Sequence, residues 1–384
     1  MEPGRSDIVR HVTDDITAAV LAREEVARYL RGADGESDAD LHARVLGYLD
    51  ELRTTQRYPF YKALKHPLYP IFRKIRRIDE HLARVVDATS RAHVVYVSNH
   101  KSHLDYLVEA LALLDNGIRP PVIAAGINLF GGPLGIINRH VTGAIPIRRN
   151  SKDPAYLVTL KAYVAELLQR RDLLFYPEGG RSYSGELKPS KMGLLHAALQ
   201  ADRSKLLVVP MAIAYDFVLE DRSLSRQGTK RRQRPFRHEL AEMVGLAVGY
   251  QSRAFVTFGE PMAITEYDPD NKRDLVRLAH RIQTQIGTLY KVLPTAIIAS
   301  VMRPNIEREV LSARADARIR ELEGRGANLA VMTGPRALDE ALEPMIERGI
   351  LALDDRGRVR VRSRHLLRYY ARTIQHLLGP GTTH

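Results

Sequence analysis

From Arg91 onward the chain alternates between two hydrophobic rhythms. Short, nearly continuous apolar runs are separated by stretches whose apolar residues recur at helical spacing. The runs "HVVYVSN", "PPVIAAG", "GAIPIRRN", "DLLFYPEGG", "LLVVPMAIAYDFV" and "RAFVTFGEPMAI" read as strands. Between them, "LDYLVEALALLD", "AYLVTLKAYVAELLQRR" and "SKMGLLHAALQAD" read as helices, the first ending near Asn116 and Gly117. A strand with no polar side is buried on both faces, so the pattern predicts an α/β fold: a mixed, largely parallel sheet covered by helices. Upstream, "DDITAAVLAREEVARYLRG" and "SDADLHARVLGYLDELR" predict two helices, the first stopping at Gly32, the second with a serine or aspartate as its cap. Downstream of "NKRDLVRLAHRIQTQIGTLYKVL" the chain turns mostly helical. It closes with a helix, a tight turn at Asp355-Arg356-Gly357, a short strand and a helix, a small winged-helix-like unit. The expected division is an N-terminal helical segment at 1–90, an α/β domain at 91–290 and a mostly helical C-terminal domain at 291–384.

Two stretches break the rhythm. Residues 57–78, "RYPFYKALKHPLYPIFRKIRRI", interleave seven Lys or Arg with aromatic and aliphatic residues and hold no acid. Rings beside long cations suit a water–lipid boundary, and equally a connecting segment packed on the core. Residues 222–238, "RSLSRQGTKRRQRPFRH", carry seven more cations and read as a loop. The longest uncharged apolar run, 120–138, is punctuated by proline, glycine and asparagine, so no membrane span is expected. Composition adds that 45% of residues are hydrophobic, enough for a sizeable core, and that there is no cysteine, which excludes disulfides and thiolate chemistry. The net charge of +13 favours polyanionic partners without choosing among lipid headgroups, phosphorylated substrates and nucleic acid.

The chemistry concentrates where strands end. After "VVYVS" come His100, His103 and Asp105 within six residues. Ser102 and Asp105 fit a helix capping box. With His100 just outside the helix and Asp105 in its first turn, the carboxylate is also within reach of one imidazole nitrogen, leaving the other to take a proton from an alcohol. No G-x-S-x-G elbow is present, so the hydroxyl being activated belongs to a substrate. A second cluster, "FYPEGGRSYSG", puts Gly179 and Gly180 where backbone can approach a ligand, beside Glu178 and the planar fork of Arg181. A third strand ends in Arg148 and Arg149.

"NHKSHLDY", "GAIPIRR", "FYPEGGRSYSG" and "LLVVPMAIAYDFV" resemble, in order, the four blocks of the glycerolipid acyltransferases, closest to the glycerol-3-phosphate acyltransferase branch. The strong resemblance spans about 95–220, and "VLPTAIIASVM" and "LLRYYARTIQHLL" extend it weakly. It implies His100 as general base and Asp105 as its orienting partner. Lys101, Ser102, Arg148, Arg149, Glu178, Gly179, Gly180, Arg181 and Ser182 would form the acceptor-phosphate site, with Pro210 supporting the pocket. Lys101 stands where arginine is common in the branch, and Tyr183 and Glu186 where residues are often basic. The implied reaction moves a fatty acyl group from acyl-CoA or acyl-carrier protein to the 1-hydroxyl of sn-glycerol 3-phosphate, without metal or cofactor. A lysophospholipid or dihydroxyacetone phosphate is the alternative acceptor. The implied setting is cytoplasmic, at the anionic inner face of the cell membrane. The segment "INLFGGPLGII" would line an acyl channel or touch the bilayer, or else be an ordinary buried loop and strand. A nucleic-acid role would leave the His100 and Glu178 clusters unexplained, so no nucleic acid is expected as partner.

Overall fold

The computed structural model describes residues 16–32, 37–63, 75–227 and 252–378. Half of the basic-aromatic stretch at 57–78 and most of the basic run at 222–238 therefore lie outside the described residues.

One eight-stranded sheet organises the chain. Its strands are β1 (Ile75–Glu80), β2 (His93–Ser98), β3 (Val122–Gly126), β4 (Ala144–Ile147), β5 (Leu173–Phe175), β6 (Leu206–Tyr215), β7 (Ser252–Phe258) and β8 (Met262–Ala263). The spatial order is β1-β7-β6-β2-β5-β3-β4, with β8 also on β6. From β6 to β4 every pairing is parallel, whereas β7 and β8 run against β6, and β1 runs with β7. The expected mixed, largely parallel sheet is the one observed. It starts earlier than the apolar pattern suggests, because Ile75–Glu80 is a strand. Its sequence, IRRIDE, carries charges that an edge tolerates and a central strand does not.

Proline would normally break a long central strand. Pro210 is accommodated because β6 changes neighbour there. Leu207 and Val208 face β8, Met211 onward faces β7, and Pro210 offers only its carbonyl, which accepts from Gly259 N at 2.8 Å.

The N-terminal helices Glu24–Gly32 and Asp38–Leu52 pack on the helix Pro154–Leu167. The second buries Leu41, Val45, Leu49 and Leu52, one face at helical spacing, and Ser37 caps it by accepting from Asp40 N at 3.2 Å. At the other end, helices Pro294–Val301, Arg308–Glu323 and Gly334–Glu347 surround β9 (Asn305–Ile306), β10 (Leu351–Leu353) and β11 (Val359–Val361). These three strands form an antiparallel sheet in the order β10-β11-β9, the arrangement of a winged helix. One large apolar core nevertheless draws on residues from Val20 to Leu378, beside a small second cluster of Ala110, Leu111 and Leu114.

What fixes the functional edge of the sheet is Asn99. It is fully buried, and its amide donates to Ile213 O at 2.9 Å and accepts from Ile213 N at 2.8 Å, tying the end of β2 to β6. Asn99→Ala should strand both backbone groups of Ile213 and cost about 2–4 kcal/mol, read as a lowered midpoint in urea unfolding. A midpoint equal to that of the parent chain would refute this role.

Candidate active site

Parallel strands end at one edge, so the residues following β2, β3, β4 and β5 converge there, in the crevice that open α/β sheets use for ligands. The cleft at this edge encloses about 90 Å³. His100, His103, Gly126, Arg149, Tyr176, Gly179 and Gly180 are among its walls, with Ile123, Leu129 and Ile147 supplying an apolar side.

His100 follows β2 by two residues, and its side chain is 13% exposed. Its Nδ1 lies 2.9 Å from Asp105 Oδ2. The same oxygen accepts from Lys101 N at 2.6 Å and Ser102 N at 2.8 Å, while Oδ1 accepts from Tyr215 OH at 2.8 Å. One carboxylate therefore serves both arrangements: it closes the turn before the helix Asp105–Asp115 and also holds the imidazole. An acceptor at Nδ1 makes that nitrogen the N–H and leaves Nε2 with its lone pair. The ring stacks on Tyr176, centroids 4.2 Å apart and planes 13° apart. Tyr176 OH donates to Glu109 Oε2 at 2.7 Å, and Glu109 Oε1 accepts from Ser98 Oγ at 2.5 Å.

Burial pushes the His100 imidazole well below its usual 6.5, helped by the positive charges of Arg181, Arg149 and Lys188. Burial pushes the Asp105 carboxyl up to about 6, against the lowering effect of its backbone N–H donors, so it is ionised at neutral pH. Burial, with the nearby Asp105 charge, drives the Glu109 carboxyl well above its usual value, against the hydrogen bonds from Ser98 and Tyr176.

The glycine turn is bound to the histidine through the backbone. Glu178 Oε1 accepts from His100 N at 3.0 Å, and His100 O accepts from Ser182 N at 2.9 Å. Gly179 needs its φ of +68°, and a Cβ there would come within 2.7 Å of Lys191 Cδ. Its N–H is already committed to Tyr176 O at 3.0 Å, and Gly180 beside it lines the cleft. Arg181 is 6% exposed, with Nη1 3.4 Å from Glu220 Oε1.

Not every candidate reaches the cleft. Arg148 is exposed and turned the other way, holding Glu51 with two bonds at 2.8 and 2.5 Å. Both residues lie past the end of β4 and both are exposed, but Arg149 lines the cleft and Arg148 does not. The Arg149 guanidinium crosses the space that Gly126 leaves open, where a Cβ would sit 2.8 Å from Nη2. Lys101 is buried, and burial brings it down to about 8; its Nζ donates to Gly185 O at 2.6 Å, which makes it a strut of the loop rather than a headgroup contact. Ser102 Oγ donates to Glu220 Oε2 at 2.9 Å, and Ser182 Oγ to Glu186 O at 2.6 Å.

Sequence reading missed Tyr176, Tyr215, Glu109, Glu220 and Lys188. Tyr215 and Glu220 pair with residues more than a hundred positions away, which no local pattern announces. Lys188 does carry a signal. It supplies the positive charge that Tyr183 and Glu186 do not, donating to Gly180 O at 3.3 Å and to Arg181 O.

The family model described as Acyltransferase matches residues 77–214. Glycerol-3-phosphate acyltransferase of Aeromonas hydrophila is 32% identical over 277 residues, 69% of this chain and 33% of that protein. Glycerol-3-phosphate acyltransferase of Pseudomonas aeruginosa PAO1 is 30% identical over 269 residues, 67% of this chain and 32% of that protein. The protein called plsB1 in Mycobacterium tuberculosis H37Rv, an acyltransferase by its name, is 26% identical over 402 aligned residues, 95% of this chain and 63% of that protein. The chain spans about a third of the length of the first two relatives. The segment matched by the acyltransferase family model, residues 77–214, contains His100, Asp105 and the glycine turn, and the chain is similar to the glycerol-3-phosphate acyltransferases over about a third of their length.

Proposed function

We propose that this chain transfers a fatty acyl group from a thioester, acyl-CoA or acyl-carrier protein, to the 1-hydroxyl of sn-glycerol 3-phosphate. The observation that carries the reading is the His100 imidazole, fixed at Nδ1 by buried Asp105 and lining a cleft beside Arg149. Nε2 takes the proton of the acceptor hydroxyl as its oxygen attacks the thioester carbonyl. The imidazolium that forms is steadied by Asp105. Collapse of the tetrahedral adduct breaks the C–S bond, and the thiolate leaves with the proton from Nε2. The Gly180 N–H is the donor suited to the oxyanion. Arg149, with Arg181 and Lys188 behind the turn, provides positive potential for the acceptor phosphate.

Among the described residues no helix is long and apolar enough to cross a membrane. Ile127, Ile136 and Ile137 are exposed at 41%, 65% and 36% on the segment that also gives Leu129 to the cleft. This apolar face supports contact with an anionic bilayer at the mouth of the site.

His100→Ala should lower kcat by at least about 10²-fold in a variant that remains folded, with some loss of stability because buried Asp105 loses a donor. A folded variant with near-parent turnover removes His100 from the reaction. Because the folded imidazole holds its proton less tightly than a free one, the neutral base persists below pH 6.5. The acid limb of kcat/KM should therefore lie below 6.5, where protonation of Asp105 near 6 adds to the loss. Arg149→Ala should move that limb upward, since one lowering charge is gone, and raise KM for the acceptor by about tenfold or more. An unmoved limb with an unchanged KM would count against it. A panel of acceptors with one acyl-CoA should rank glycerol 3-phosphate above dihydroxyacetone phosphate and lysophospholipids, and the protein should float with anionic vesicles. Preference for a lysophospholipid would reassign the acceptor, and failure to float would remove the bilayer.

A further inference from the structure

A second concavity lies in the C-terminal part of the chain, away from His100. It encloses about 610 Å³ between the helix Arg364–Arg372, the end of the helix Pro294–Val301 and the turn after it. That volume is in the range of sites that take small organic ligands, about 300–1,000 Å³. Met302, Val361, Leu367 and Leu378 give it an apolar lining.

Its rim is cationic. Arg364, Arg368 and Arg372 follow one another at four-residue intervals, so they stack one turn apart along the same face of one helix. Arg303 joins them from the turn after Val301. Like charges at this spacing repel, which costs stability unless an anion lies among them. Only Arg372 has an acidic partner in the groove, Glu186 at 3.4 Å. Among the described residues Arg303, Arg364 and Arg368 are joined to no carboxylate. Arginine stems cover apolar surface while their forks bind phosphate or carboxylate, so one row of residues serves both ends of such a ligand.

We infer that this groove binds one molecule of a single-chain anionic amphiphile, its hydrocarbon against Met302, Leu367 and Leu378 and its phosphate or carboxylate on Arg303, Arg364 and Arg368. Acyl thioesters, fatty acids and lysophosphatidate share this chemistry. The site is separate from the cleft at His100, and the inference does not rest on acyl transfer. It does adjoin the cleft's supporting loop. Glu186 holds Arg372 through its side-chain carboxylate, while its backbone carbonyl accepts from Ser182 Oγ at 2.6 Å, and Ser182 N donates to His100 O at 2.9 Å. An anion that competes for Arg372 therefore acts on the segment that backs the histidine.

The test uses the full chain without acyl donor, and hexadecyl phosphate below its aggregation concentration as probe, measured by equilibrium dialysis. Saturable binding of one equivalent outside the cleft is expected, retained in Arg149→Ala and weakened at least about tenfold in the double variant Arg364→Glu, Arg368→Glu. Inorganic phosphate and hexadecanol should each bind far more weakly, because each supplies only one half of the ligand. Palmitoyl-CoA and lysophosphatidate, added separately, should displace the probe and so identify the natural source. Equal affinity for hexadecanol, unchanged affinity in the folded double variant, or loss of binding in Arg149→Ala would overturn the proposal. So would binding to phosphatidylglycerol vesicles that the probe does not displace, since that is the signature of a bilayer contact. If the double variant does not fold, Arg303→Glu, on a different element, carries the same expectation.

Discussion

The site depends on a carboxylate that water does not reach. Asp105 is fully buried, and an ionised acid in that position persists only if donors replace the water it has lost. Four donors do so, two from the turn that precedes it, one from the imidazole and one from Tyr215 on β6. Each also has a geometric effect. The two backbone donors close the turn that brings His100 back over the helix, the tyrosine ties that turn to the adjacent strand, and the imidazole is left with a single useful tautomer. Losing any one would change the charge of the acid and the aim of the base together.

The same economy recurs in the segment after β6. Asp216, Glu220 and Asp221 are all buried, and each meets an arginine from a different part of the chain. Asp216 holds Arg253 of β7 at 2.6 Å, Glu220 faces Arg181 of the glycine turn at 3.4 Å, and Asp221 holds Arg348 of the C-terminal unit at 2.9 Å. Tyr370 OH adds a bond to Asp221 at 2.6 Å. Buried pairs of this kind are weak evidence of stability, but breaking one is costly because the remaining charge has no solvent. Their effect is registration: sheet, turn and C-terminal unit have one permitted relative position.

Much of this was legible in the chain because its signals are local. The strand into His100, the turn residues after it and the glycine pair in "PEGGRS" announce themselves within a dozen positions. In the winged-helix-like unit the turn at Asp355-Arg356-Gly357 and the strand and helix after it were also legible, whereas the short strands β9 and β10 were not. What escaped is non-local or depends on facing. Glu220 reads as one acid in an acidic loop until Ser102 Oγ and His103 N are seen donating to it. Arg148 and Arg149 are chemically identical, and both lie past the end of β4 at Ile147, so no alternation along a strand tells which one lines the cleft. Lys101 looks like a phosphate contact because it is charged and next to the histidine, yet its carbon stem passes inward and its ammonium rests 5.1 Å over the ring of Tyr290.

Gly185 joins the two ends of the molecule. Its φ is +88°, and an added Cβ would sit 2.1 Å from Tyr369 O, a backbone atom that cannot swing aside. Its own carbonyl receives the ammonium of Lys101. The loop that flanks the histidine is thus cast against the last helix, much as wax takes the shape of its mould. The winged unit therefore supports the loop beside His100, even though the family match ends more than a hundred and fifty residues before Tyr369.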